Sequence, residues 1–256
     1  MKKYGIKNKL VIVLFFIFSL SVITIGCKKE FVEENSYSNE EIELIGQRHN
    51  EGLDVILEAF EESSIAKKYH NKKSANIALT TQDKLEIARF LDVQAKEFIS
   101  KNPLTYKGKQ IEIEPVQFSD EQLLSFYNFK IDGNISTELQ LKYFTLLEDA
   151  HRNHPGSGIS LVRKIDRILS DAKVEITDEG ELLPVLTMGS VLKYSNQYWH
   201  SDRKSKGWLS IALADATNGG SAALWGAAVA GPLGAVVVGV NGAIIGSCTA
   251  YLIGEL

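Results

Sequence analysis

The sequence predicts an all-α protein: an irregular multi-helix domain followed by a Gly/Ala-rich apolar helical hairpin. Three observations carry this. Helix-capping signatures recur along residues 38–205, each followed by apolar residues three or four apart. Period-two alternation is confined to one short stretch, Gln110–Glu114, with no obvious partner strand. Residues 216–254 form a run of 39 without one charged side chain, carrying nine glycines and nine alanines.

The elements follow in chain order. Ser38-Asn39-Glu40-Glu41 fits a capping box, in which hydroxyl and carboxylate satisfy orphan N–H groups reciprocally. Ile42, Ile45, His49, Leu53, Ile56, Leu57 and Phe60 then recur at helical spacing, and the polar run 61–74 breaks the pattern. Thr81 is read as the cap of a second helix, with Leu85, Ala88, Leu91, Ala95, Phe98 and Ile99 on one face. A loop with Pro103 and Pro115 spans 101–118. Ser119 to Gln122 is a second capping box, opening a short aromatic helix. Asp132-Gly133-Asn134 is turn chemistry, and Ser136 is read as the cap of a helix through Leu139, Tyr143, Leu146, Leu147 and Ala150. His154-Pro155-Gly156 ends it. Ile159–Ala172 carries the stripe Val162, Ile165, Ile168, Leu169, and a further helix starts at Thr177 or Asp178 and runs to about His200.

Gly231-Pro232 divides the uncharged run, because proline lacks an N–H and glycine frees the turn. One helix is expected over about 208–230 and another over about 233–253, the second about 31 Å long at 1.5 Å per residue. Small residues recur every four positions: Ala222, Gly226, Ala230, Gly234, and again Gly231, Ala235, Gly239, Ala243, Ser247, with Gly242 and Gly246 beside them. Glycine costs about 1 kcal/mol per helical residue relative to alanine, so nine of them need close backbone packing to offset the cost. The assigned packing positions are Gly226, Gly231, Gly234, Gly239, Gly242 and Gly246. The limbs are expected to pack antiparallel with Gly239 near the contact, Val238 being the tolerant neighbour. Such a hairpin is buried either in protein or in lipid. Asp215, Asn218 and Asn241 would be costly facing lipid.

The amino terminus reads as an address. Met1–Lys9 is basic, 10–26 is 17 uncharged residues, and Cys27 is followed by Lys28-Lys29-Glu30. This layout assigns 1–26 to a signal peptide and 27–37 to a tether; 38–205 is then the helical domain and 206–256 the hairpin. Without the signal the chain carries −8, which opposes binding to nucleic acid.

Two resemblances add to this reading. Thr24-Ile25-Gly26-Cys27 resembles the lipobox of bacterial lipoproteins, with Thr24 where leucine is commonest. The resemblance implies acylation of Cys27, and Lys29-Glu30 with Glu33-Glu34 looks like the export tag of Bacteroidetes-type surface lipoproteins or a plain solvated linker. The C-terminal run resembles a glycine zipper, and more narrowly the core of class II bacteriocins behind a Gly-Gly leader, here Gly219-Gly220. It departs from that family because some 200 residues precede it, so only the self-packing or membrane-seeking property carries over.

Chemical motifs are sparse. Glu148 and His151 have the Glu-x-x-His spacing of di-iron bundles, but no second such pair precedes His49, His70, His154 or His200, so no metal is expected. His49 lies on an apolar stripe and reads as a hydrogen-bonded core histidine; Cys248 reads as packing. Tyr194, Tyr198, Trp199 and Trp208 read as core or as an interfacial belt, with Arg203, Lys204 and Lys206 at headgroups in the second case. No Gly-x-Ser-x-Gly, P-loop or His-Glu-x-x-His occurs. The expectation is a non-enzymatic, lipid-anchored cell-envelope protein, at the outer membrane or cell surface, without cofactor, meeting the membrane through its anchor and an unidentified protein through its body. The alternative is a membrane-active antagonism protein whose hairpin is the effector.

Overall fold

The computed structural model describes residues 38–112, 116–128, 131, 133–153, 158–201 and 208–254. The signal segment, Cys27, the tether, the His154-Pro155-Gly156 turn and Arg203, Lys204 and Lys206 lie outside the described residues. Eight helices occur among the described residues, with almost no strand, which makes the protein all-α.

Helix α1 (Asn39–Glu62) opens on the Ser38–Glu41 capping box and buries Ile42, Ile45, His49, Leu53, Ile56, Leu57 and Phe60. Helix α2 (Ser64–Ser74) occupies the polar run where the pattern fails. Ser63 leaves helical geometry at φ −76, ψ 160, and its hydroxyl accepts from the Ala66 N–H. Only Ala66 and Tyr69 are buried there, too few to write a stripe into the sequence. Helix α3 (Thr81–Lys101) is capped by Thr80, one residue before the expected Thr81, because Asp83 completes the box by accepting from the Thr80 N–H at 2.9 Å.

Of the alternating stretch, Gln110 alone among the described residues falls in a strand. Strands β1 (Thr105–Tyr106) and β2 (Lys109–Gln110) pair antiparallel, with Thr105 opposite Gln110. Lys107 and Gly108 both have positive φ, 50 and 71, as a tight two-residue hairpin turn requires. Helix α4 (Asp120–Ser125) carries the Ser119 capping box. Helix α5 (Glu138–Asn153) is capped by Thr137 rather than Ser136: Thr137 Oγ1 accepts from the Gln140 N–H, and Gln140 Oε1 accepts from the Thr137 N–H. Leu146 stays 38% exposed, while Phe144 takes the buried place the stripe assigned to it. Helix α6 (Ile159–Glu175) extends one turn further than expected, and α7 (Glu179–Ser201) opens with Asp178 Oδ1 accepting from the Glu181 N–H.

Helix α8 (Trp208–Gly254) is broken at Gly231. It packs most extensively on α7, and then on α1 and α3; α5 and α6 also pack on α7. Among the described residues α8 is the helix long and apolar enough to cross a membrane, yet 61% of its most apolar stretch is buried within the protein. The hairpin and residues 38–201 therefore share one core: Val236, Val240, Ala243, Ile244 and Ile245 are as buried as Ile45, Leu53 and Leu91.

Candidate functional site

The two limbs of α8 run antiparallel, and glycines set their approach. A Cβ added at Gly226 would collide with the Gly234 carbonyl, and one at Gly234 with the Gly226 carbonyl. A Cβ at Gly239 would lie 2.7 Å from Thr187 Cγ2 on α7 and 2.9 Å from Ala223 Cβ on the first limb. At Gly242 it would strike Ala222, and at Gly246 the Asn218 side chain. Gly231 is different in kind. Nothing lies within 4 Å of its added Cβ, and its φ of 69 with ψ of −164 is a conformation essentially reserved for glycine. It makes the turn and does not pack. Val238 is no tolerant neighbour either: it is 3% exposed and faces Gly226, while Val237 is half-buried.

Sequence spacing did not single out Gly219, whose Cβ would lie 3.1 Å from Ala243 Cβ, or Gly52, whose Cβ would lie 2.5 Å from Ile244 Cδ1. Gly52 is the point where α1 lies against the second limb, and glycine on an otherwise large apolar stripe was its signal.

A polar node sits inside this packing and joins α1, α7 and both limbs. Asp215 on the first limb is fully buried. Its Oδ2 accepts from Ser195 Oγ and, at 2.7 Å, from the Trp199 indole N–H. His49 Nε2 lies 3.9 Å from the same oxygen and 2.8 Å from Ser247 Oγ on the second limb. Asp215 Oδ1 is buried without a hydrogen-bond partner. Burial pushes the Asp215 carboxyl up to about 7 despite the hydrogen bonds from Ser195, Ser247 and Trp199. Burial likewise pushes His49 down to about 4, against the opposing Asn50 contact. Asn50 Nδ2 donates to the Tyr194 carbonyl, which turns Asn50 Oδ1 toward His49 Nδ1 at 3.0 Å. Burial thus disfavours the charged form of both groups, which lie 3.9 Å apart. Serine, histidine and aspartate meet here, but hydroxyl and carboxylate approach the same ring nitrogen, whereas a nucleophilic triad needs them on opposite nitrogens. All three side chains are fully buried.

An open groove of about 570 Å³ lies between α3, the β1–β2 hairpin and the second limb. Ile99, Leu104, Ile111, Val116, Val237 and Val238 give it an apolar lining. Polar groups converge along the α3 wall. Lys96 Nζ donates to Asp92 Oδ2 at 2.6 Å and to Gln117 Oε1 at 3.3 Å, and Asp92 Oδ1 accepts from Asn241 Nδ2 at 3.2 Å. The signal for this network was available: Asp92 falls on the buried stripe between Leu91 and Ala95, and Asn241 interrupts an apolar limb.

The remaining candidates are structural in their surroundings. His151 Nε2 lies 2.9 Å from the Leu209 carbonyl, and burial holds its pKa below the usual value. No group of three or more metal-ligating side chains occurs among the described residues. Cys248 is fully buried; Trp199 is buried and stacked on Tyr251; Tyr198 donates to Asp54 Oδ1 at 2.6 Å. Asn218 Nδ2 donates to the Phe126 carbonyl at 3.1 Å. No protein-family model, curated protein or solved structure matches this chain.

Proposed function

We propose that the protein is a lipid-anchored binding protein of the bacterial cell envelope, with its helical body as the binding module and its C-terminal hairpin as that body's core. The observation that carries the reading is Cys27 behind a basic segment and 17 uncharged residues, in a setting that resembles a lipobox. Acyl chains on one residue hold a body to a membrane at about 0.8 kcal/mol per buried CH₂, and two or more make the attachment stable. The burial of Asp215, Asn218 and Asn241 in hydrogen-bonded positions supports a hairpin that stays within protein, since each would be expensive against lipid. The pairing of small residues between limbs of one chain supports self-packing over a free membrane-seeking peptide.

Metabolic labelling with radioactive palmitate tests the anchor. Label is expected on the wild type and absent from Cys27→Ala. A wild type without label overturns the lipoprotein reading.

A further inference from the structure

The groove beside the second limb has the dimensions and lining of a small-molecule site. Its 570 Å³ falls inside the roughly 300–1,000 Å³ of such sites, which are apolar with a few placed polar groups. Its polar corner at Lys96 is charge-balanced, while Glu112 stands exposed elsewhere in the lining. Lys96 and Asp92 are largely buried, with side chains 15% and 10% exposed, and they neutralise each other at 2.6 Å. Asp92 is held from its other oxygen by Asn241, so it is fixed in place whatever Lys96 does. An ammonium has three donor hydrogens. Asp92 and Gln117 take two of them, the Phe118 ring centroid lies 5.7 Å from the nitrogen, and the third hydrogen has no oxygen partner within the protein. An acidic head group there would add a second negative charge beside Asp92, and a cationic head would meet Lys96; either leaves an unbalanced charge in a poorly solvated place. A neutral acceptor does not.

We propose that this groove binds an uncharged single-chain amphiphile. Its acyl chain lies on Ile99, Leu104, Ile111 and Val237, and its ester or amide carbonyl accepts from the Lys96 ammonium. The assignment deepens the reading of the helical body as a binding module. It does not depend on the anchor, which palmitate labelling of Cys27 tests separately.

The test is photo-crosslinking of the full chain in phosphatidylcholine nanodiscs with a monoacylglycerol carrying a diazirine in its chain. Adducts are mapped by mass spectrometry. Adducts are expected on the peptides containing Ile99–Ile111 and Val237–Asn241. Unlabelled monoacylglycerol should protect these sites, and the free fatty acid of the same chain length at pH 8 should do so at least tenfold less well. Lys96→Gln should raise the protecting concentration about tenfold, the worth of one hydrogen bond to a charged donor. Ser100→Trp, at an exposed position lining the groove, should abolish these adducts without lowering the melting temperature. Adducts that avoid both peptides, or that persist in Ser100→Trp, overturn the site. Fatty acid protecting as well as the monoacylglycerol overturns the neutral-head assignment.

Discussion

Replacing Asp215 by asparagine should make the protein more stable relative to the wild type as the pH rises. Folded Asp215 keeps its proton up to about pH 7, whereas the unfolded chain releases it near 3.8. Between those values the folded state holds the extra proton, so stability falls with rising pH, by about 4 kcal/mol over the whole window at 1.36 kcal/mol per pH unit. His49 acts in the opposite sense. The unfolded chain takes up its proton near 6.5 and the folded chain only near 4. Across that window the unfolded state holds the extra proton, and stability rises with pH by about 3 kcal/mol. Between pH 4 and 6.5 the two slopes cancel, because the fold has one proton on Asp215 and the unfolded chain has one on His49. Asp215→Asn removes the falling slope, so its stability should gain about 4 kcal/mol on the wild type between pH 4 and 7. His49→Gln should lose about 3 kcal/mol on the wild type between pH 4 and 6.5. Urea denaturation of all three proteins at half-unit pH steps measures these differences, and groups common to all three drop out of the comparison. A buried aspartate–histidinium ion pair would hold the same single proton, so these slopes report how many protons the folded node holds. A pH-independent difference would refute the shifted titrations of Asp215 and His49.

Two further predictions concern the hairpin. Gly239→Leu should cost about 3 kcal/mol, because even its Cβ would press on Thr187 and Ala223, whereas Val237→Leu on the half-buried neighbour should cost under about 1 kcal/mol; equal melting temperatures for the two would contradict the close packing. Gly231→Ala should cost about 1–3 kcal/mol through backbone strain alone, since its Cβ meets nothing, and Gly231→Asn should bring no relief because the conformation lies outside the left-handed helical region asparagine tolerates; chemical denaturation of both variants decides this.

Much of the fold was legible in local chemistry. The Ser38 and Ser119 boxes start helices because hydroxyl and carboxyl or amide groups three residues apart satisfy each other's backbone donors wherever they occur. Where two capping residues adjoin, as in Thr80-Thr81 and Ser136-Thr137, the start moved by one position; the residue three ahead with a fitting side chain, Asp83 or Gln140, decided it. Helix α2 was invisible because it buries two residues only, and β1 because a two-residue strand has no period to read.

The sequence by itself determined the helical class, the break at Gly231-Pro232 and the presence of small residues every four positions, since each depends on backbone geometry within a few residues. It determined too that Asp215, Asn218 and Asn241 need polar partners. Which partners they have was decided only by tertiary structure. Ser195, Trp199 and His49 reach Asp215 from α7 and α1, and Asp92 reaches Asn241 across 149 residues of chain. The packing of the hairpin within the protein is tertiary as well. An uncharged small-residue surface suits protein or lipid, and α1, α3 and α7, packed around α8, supply the protein surroundings that periodicity along one strand of sequence does not encode.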